Sequence, residues 1–410
     1  MNKNQTVNLG DVVTVVNENE YEPVENKVEK YVAGGHLESE RIYVTKFGSV
    51  QQDREVIGSA FHKLFKKGDL LYGTRFPNLK KAAITTFDGL CSNTTLVLKT
   101  KKNSSLIEGL LPFILQWDKF TEFSIFKTVG STNPYVRWRD LSEFQFLLPS
   151  EQEQKKIHDI LWSIQNNIEN LANLIQKFKI YQASTRESLF TKGINHKTFK
   201  KVKGDFGKSI QIPKDWKITV LANEYEFSSG STPTRSNPEF FKGDIPWVSS
   251  TDLNRKTVHH TMEMITSEGL KNANLKIYPK GTFLIAIYGL EAEGTRGKCG
   301  ILGIDAAINQ ACLAFQKSES IDTQFMFEYY LHKGEQIAFQ LAQGTKQQNL
   351  SSQSFKFLKI SLPPLPEQQK IASMLMKIQD QITLQEDHLK NLYALRKSMI
   401  NKKMMQGKNK

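Results

Sequence analysis

From Ile157 onward the apolar residues fall at Ile157, Leu161, Ile164, Ile168, Leu171, Ile175 and Phe178, in alternating steps of four and three. That is the a and d seam of a heptad repeat, so the spacing predicts a long helix with one face made to meet another helix. A second seam runs through Ile371, Leu375, Ile378, Ile382, Leu389 and Leu392, with Gln385 where an apolar residue would stand, in the register of Leu171 in the first seam. The two are copies. Leu148 to Ile157 reads LPSEQEQKKI and Leu362 to Ile371 reads LPPLPEQQKI, an offset of 214 residues, and each copy runs unbroken to a glycine, Gly193 or Gly407. Prolines at 363, 364 and 366 can lead into a helix but not continue one, and Glu367 puts negative charge on the first turn. Forty residues at about 1.5 Å each make a rod of roughly 60 Å. Two seams in one chain most simply bury each other, and with a whole domain between them an antiparallel pair is expected.

Between the helices the pattern changes to short apolar runs punctuated by glycine and polar turns. Asp69–Gly73, Thr94–Leu98, Thr282–Ala286 and Ala311–Phe315 read as strands. The halves match weakly beyond the repeat, with Lys67-Gly68-Asp69 over Lys280-Gly281-Thr282 and Phe87-Asp88 over Ile304-Asp305. The expected class is α+β: two mixed α/β domains, separated and joined by two long helices forming an antiparallel coiled coil, with a pseudo-twofold internal repeat. The divisions are a first domain at 1–147, a helix at 148–194, a linker at 195–208, a second domain at 209–361 and a second helix at 362–410. The linker NHKTFKKVKGDFGK is lysine-rich and without periodicity, and reads as solvated, with phosphate contact as a lesser use.

Composition sharpens this picture in two respects. A chain of 410 residues exceeds what one core usually serves, and 39% apolar with 24% charged residues is globular. A formal net charge of +13 favours a polyanion, because neutralising phosphates releases condensed counterions. The three cysteines, Cys91, Cys299 and Cys312, have no CxxC spacing, so neither a disulfide framework nor a zinc site is expected, and a reduced, cytoplasmic setting is. No run of eighteen apolar residues is present, so no membrane span is expected.

Catalytic patterns fail on their details. Asn237-Pro238-Glu239-Phe240 resembles the base-gripping N-P-P-Y of amino-methyltransferases, but glutamate stands third and no Gly-x-Gly cofactor loop follows a strand. Gly289, Gly294, Gly297 and Gly300 match neither GxGxxG nor a P-loop. Glu25-Asn26-Lys27 with Asp11 has the letters of a nuclease E-x-K without the flanking strand, and His259-His260 lacks a third ligand at metal spacing. No catalytic centre, metal or bound cofactor is expected on this chain.

Taken together, the chain resembles the specificity subunit of type I restriction-modification systems. The resemblance rests on the LPPLPEQQKI run and the heptad helix after it, the weaker echo at 148–157, and the opening of the second half, Gly207-Lys208-Ser209-Ile210-Gln211-Ile212-Pro213-Lys214-Asp215-Trp216. Ser229-Gly230-Ser231-Thr232-Pro233 and Ile245-Pro246-Trp247-Val248 are family-like as well. The first copy departs in having Ser150 and Gln152 where the second has Pro364 and Pro366, and no tryptophan lead-in precedes Leu9. The resemblance implies a non-catalytic subunit with two target-recognition domains reading a split site on double-stranded DNA. It implies paired helices that space the domains and dock methyltransferase (modification) subunits, two of them, together with restriction/translocase subunits. S-adenosylmethionine, ATP and Mg are expected on those partners. The rival readings are a stand-alone repressor-like DNA binder, the recognition part of a fused restriction-methylation enzyme, and a coiled-coil scaffold.

Sequence readout needs side chains that fork onto base edges, and phosphate gripping needs cations and hydroxyls. In the first half the candidates are Tyr72, Arg75, Lys80 and Lys81 after a strand, and Asn133, Tyr135, Arg137 and Arg139 after Gly130. In the second half they are Ser231, Thr232 and Arg235, then Tyr288 and Arg296, and the loop residues Thr345, Lys346, Gln347 and Gln348. At the offset of 214, Gly344–Asn349 falls on Gly130–Tyr135, which predicts a shared contact loop. Trp216 and Trp247 are read as core.

Overall fold

A computed structural model describes residues 5–55, 57–204, 209–290, 294–342 and 348–405. The chain divides into two compact units, Met1–Leu174 with Gln385–Lys410, and Ile175–Leu384. The boundary therefore falls inside each long helix rather than at its ends, because each helix half packs into a different core.

In the first unit, Val13–Val16, Thr95–Thr100, Leu70–Gly73 and Ala82–Ile84 make one antiparallel sheet in that order. A second sheet holds Gly48–Ser49, Lys30–Val32, Gly89–Ser92 and Phe61–Phe65, with a parallel pairing of Tyr31 with Leu90 at its centre. The run Leu70-Leu71-Tyr72-Gly73 is buried on both faces. Its alternation explains that: Leu70 and Tyr72 enter one apolar cluster and Leu71 another. The second unit repeats the plan. Phe227–Ser229, Cys312–Phe315, Phe283–Ala286 and Cys299–Leu302 follow the same order, with Lys256–Val258 added at the far edge. Phe283 and Ile285 point into one cluster, Leu284 and Ala286 into another. The smaller sheet keeps the parallel centre, here Trp247 beside Ala307. All four strands expected from the sequence are present.

The strand before each long helix closes its unit onto the strand that opens it. Gln145–Leu148 pairs antiparallel with Gln5–Asn8, and Lys359–Leu362 with Lys217–Val220. The helices then run over Glu151–Lys192 and Leu365–Met405. Ser150 starts the first: its N–H and hydroxyl meet Glu153 Oε2 at 3.2 and 3.0 Å. Gly193 ends it at φ +66°, the left-handed position where a side chain is strained. Gly407 lies outside the described residues.

Along the first helix the buried residues are Gln154, Ile157, Leu161, Gln165, Ile168, Leu171, Ile175, Gln182, Leu189 and Phe190. The expected seam holds except at Ile164, which is half-buried while Gln165 takes the interior, and at Phe178, also half-buried. The reason lies in Arg396, buried at 3% exposure, whose guanidinium donates to the side-chain oxygen of Gln165. A buried cation requires an acceptor, and leucine or isoleucine has none. Along the second helix Ile371, Leu375 and Ile382 are buried, whereas Ile378, Gln385, Leu389 and Leu392 are half-buried.

In the first unit Ile157, Leu161 and Ile400 share one cluster. In the second, Leu189 and Phe190 share another with Ile371, Ala372 and Leu375, and Gln182 donates to Gln379 at 3.0 Å. The offset of 214 carries Gln165 onto Gln379 and Gln182 onto Arg396, so the two polar pairs are counterparts.

The lysine-rich stretch departs from a linker at 199–203, which is a strand, although Lys197, Lys201 and Lys203 are exposed and 205–208 lie outside the described residues. Phe199–Lys203 pairs antiparallel with Ser209–Pro213, from Phe199 with Pro213 to Lys203 with Ser209. Its alternation drives this, since Val202 and Ile212 pack against the core of the second unit.

Candidate nucleic-acid interface

In the first unit two segments some sixty residues apart are tied together by backbone. Phe76 N–H donates to Pro134 C=O at 3.1 Å and Val136 N–H to Thr74 C=O at 3.1 Å. Val129 and Tyr135 exchange a further pair of bonds around the turn at Gly130, whose φ is +87°. Arg75, Asn133, Tyr135 and Arg137 are thereby exposed on adjoining loops, with the Arg137 guanidinium 5.9 Å from the Tyr135 ring centre. Phe76, at φ +52° and 41% exposed, joins them. An apolar residue before a proline gave no sequence signal for that role. Arg139 is exposed, with Nε 3.2 Å from Asp140.

The second unit fastens its corresponding loops by the same bonds. Leu290 N–H donates to Gln348 C=O at 3.0 Å and Leu350 N–H to Ile287 C=O at 2.7 Å. These are the Phe76 and Val136 bonds displaced by about 214 residues, so the segments on either side of the loop correspond, while residues 344–347 of the expected loop lie outside the described residues. The side chains differ. Tyr288 is 40% exposed at the place of Arg75, and Asn349 stands where Tyr135 does. Arg296 donates to Gln348 Oε1 at 2.8 Å and lies 5.3 Å from the Phe339 ring centre. Thr345, Lys346 and Gln347 lie outside the described residues.

The loop at 231–235 is built on the smaller sheet. A Cβ at Gly230 would lie 1.7 Å from the carbonyl oxygen of Ile308, so only glycine permits this approach. Trp247, 2% exposed, donates its indole N–H to Ser231 C=O at 3.2 Å, and Thr232 donates to Gln310. Gln310 is a polar loop residue that lay outside every motif. Arg235 grips Glu263 with both arms of its guanidinium, one at 2.8 Å, and covers the Phe241 ring at 4.2 Å. In return the Arg235 guanidinium holds the Glu263 carboxyl below the usual carboxylate range. Asn237 caps its own turn, accepting from Glu239 N–H at 3.2 Å.

Three candidates are corrected. Tyr72 is 1% exposed in a central strand, edge-on to Phe120, and burial pushes its phenol up to about 12. It is core. Lys80 is 8% exposed and its ammonium sits between Asp118 and Glu40, the latter at 3.4 Å. Its charge is consumed internally. Lys81 spends its ammonium on the Gly34 carbonyl at 2.6 Å. Strand and helix packing turned the Tyr72 and Lys80 side chains away from solvent, which residue type alone does not reveal, whereas half-buried Lys81 is diverted by its surface bond to Gly34. Trp216 and Trp247 are core, as expected.

Reactive groups are held in inactive forms. Burial pushes the Cys91 and Cys299 thiols up to about 12 and Cys312 higher still. Among the described residues one cluster has metal-ligand composition, His196, Asp215 and Glu367. Its atoms are already spent on one another. The two His196 nitrogens meet Asp215 at 3.2 Å and Glu367 at 2.8 Å, while Glu367 also accepts from Ile194 N–H at 2.9 Å and the Trp216 indole at 3.0 Å. It ties the end of one long helix to the start of the other within the second unit. Also among the described residues, no helix is long and apolar enough to cross a membrane.

Comparison with known proteins places this geometry. The family model described as the type I restriction modification DNA specificity domain matches residues 1–180 and again 213–393. The type I restriction enzyme MjaVIII specificity subunit of Methanocaldococcus jannaschii is 26% identical over 325 residues, 76% of this chain and 73% of that protein. The crystal structure of the type I restriction-modification S subunit from M. genitalium superposes with a TM-score of 0.59 at 13% identity, covering 98% of this chain and 96% of that one. A chain from work on complex assembly and conformational transition of the type I R-M system gives a TM-score of 0.60 at 17% identity, covering 98% of both.

Proposed function

This chain belongs to the type I restriction-modification DNA specificity family, and from that premise we propose that its two units each read one half of a split DNA target. It is a specificity subunit and performs no chemistry of its own. The observation that carries the reading is the loop pair fixed by the same backbone bonds in both units. One scaffold presents Arg75, Asn133, Tyr135 and Arg137 in the first unit and Tyr288, Gln348 and Asn349 in the second. Equal frames with unequal side chains suit two half-sites of different sequence.

The two long helices act in this reading as an antiparallel coiled coil, a spacer that matches the half-sites at roughly 34 Å per duplex turn. The counterpart pairs Gln165 with Arg396 and Gln379 with Gln182 support that pairing. The helices also dock two methyltransferase subunits, with restriction/translocase subunits joining the assembly. Adenine methylation, with its S-adenosylmethionine, and ATP- and Mg-dependent cleavage belong to those partners.

Methylome sequencing of a host expressing the complex reveals the target as a split, modified-adenine motif. Methylation is then measured on duplexes altered in one half at a time. Arg75→Ala or Arg137→Ala weakens dependence on one half by about 1–3 kcal/mol per lost base contact, and Tyr288→Ala acts on the other. Equal losses on both halves, or the absence of any split motif, would overturn the reading.

A further inference from the structure

The hairpin at 199–213 has two unlike faces. Val202 and Ile212 face the core. Phe199, Lys201, Lys203, Ser209 and Gln211 alternate with them and are exposed. Lys197 and Lys214 flank the ribbon, exposed, and Lys200 is half-buried on the inner side. Among the described residues none of these five lysines meets a carboxylate. Asp215, beside Lys214, is engaged by His196 at 3.2 Å, and Asp205, the acid nearest in sequence to Lys203, lies outside the described residues. An isolated hairpin would not order such a row of like charges, so its order comes from the core contacts beneath, which leaves the cationic face free for a partner.

We propose that this outward face grips the phosphate backbone of duplex DNA without reading bases. The inference rests on the recognition role given above and adds a second kind of contact to it. Lysine is a point charge on a flexible stem, suited to phosphate rather than to the forked recognition of base edges. Alternate residues of a strand repeat at about 6.6 Å, close to two of the roughly 3.4 Å steps at which one DNA strand presents its charges. On that spacing Lys201 and Lys203 match every second phosphate along one strand.

The test uses the full chain with its methyltransferase subunits, titrated by fluorescence anisotropy against duplexes carrying or lacking the methylome-defined motif, from 50 to 200 mM salt. The triple variant Lys201→Gln, Lys203→Gln, Lys214→Gln binds target and non-target more weakly by the same factor, and its ratio between them is unchanged. The slope of log K against log salt falls by about 0.9 per contact removed, so the loss across that salt range shrinks roughly 40-fold for three contacts. The Lys→Arg triple restores the slope, which separates charge from misfolding. An unchanged slope, a change in the target ratio, or loss of methyltransferase assembly in place of DNA affinity each overturns the proposal. Wild-type protein that binds without preference for the motif overturns the recognition reading instead.

Discussion

Gln154 and Gln368 stand at the same place in the two copies of the repeat and make the same bonds. Gln154 donates to Ser105 and Pro149 carbonyls at 2.8 and 3.0 Å and accepts from Ile107 N–H at 2.9 Å. Gln368 donates to Ser320 and Pro363 carbonyls, both at 2.9 Å, and accepts from Asp322 N–H at 2.9 Å. One residue earlier the copies part. Glu153 belongs to an exposed helix cap, while Glu367 gathers Ile194, His196 and Trp216. The repeat therefore preserves the joint between strand and helix in each unit, and the residues around that joint are fitted to what each unit happens to hold. Further along, Arg186 in the first helix aligns with Ile400 in the second: the second unit has a buried ion pair to Glu328 at 2.9 Å where the first has an isoleucine 4% exposed.

The largest test of this comparison is Arg186→Met. Glu328 is 2% exposed, and burial pushes its carboxyl up against the opposing pull of Arg186. A raised carboxyl favours the folded state most fully below its unfolded value, and that contribution is lost as pH rises through the folded value. Removing the arginine leaves a buried charge unpaired at neutral pH and costs about 3–5 kcal/mol in urea unfolding. The loss is smaller at a lower pH, where Glu328 takes up a proton. A cost equal at both pH values would mean that packing, not charge, holds the pair.

Next in size, Gln154→Leu and Gln368→Leu each strand one buried N–H and two carbonyls. Each costs roughly 2–3 kcal/mol, and the two agree within about 1 kcal/mol. A clear inequality would break the equivalence of the joints. Smallest and most asymmetric is the pair Glu367→Gln and Glu153→Gln. The first loses charge-assisted acceptance from three donors and costs about 1–2 kcal/mol, whereas a capping box accepts glutamine and shifts by a few tenths. Thermal melts of the two variants side by side measure the difference.

Much of the architecture was legible because periodicity is a local signal. The strands at 70–73 and 283–286 and the offset of 214 survive in the structure, and most of the first heptad seam is buried, whereas in the second only Ile371, Leu375 and Ile382 are. Gln154 and Gln368 stand three before the first seam isoleucine in each copy, but the repeat alone did not show that they hold a loop to the start of the helix. The candidate interface was legible only as loops. Arg75, Tyr135 and Tyr288 sit where solvent reaches them, but Tyr72 and Lys80, of equally suitable type, were claimed by the core and by Asp118. Gln165 displaced Ile164 from the seam because Arg396, far away in sequence, required an acceptor.

By itself, then, the sequence determined the two-part plan and much of the buried face of each helix, since these follow from spacing along the chain, while the family followed from the resemblance of its motifs. Only the tertiary structure decided which polar side chains remain free to meet DNA. That depends on whether a partner from a distant segment reaches the side chain first, and a buried charge always takes such a partner because leaving it unpaired costs several kcal/mol, of order ~3–5.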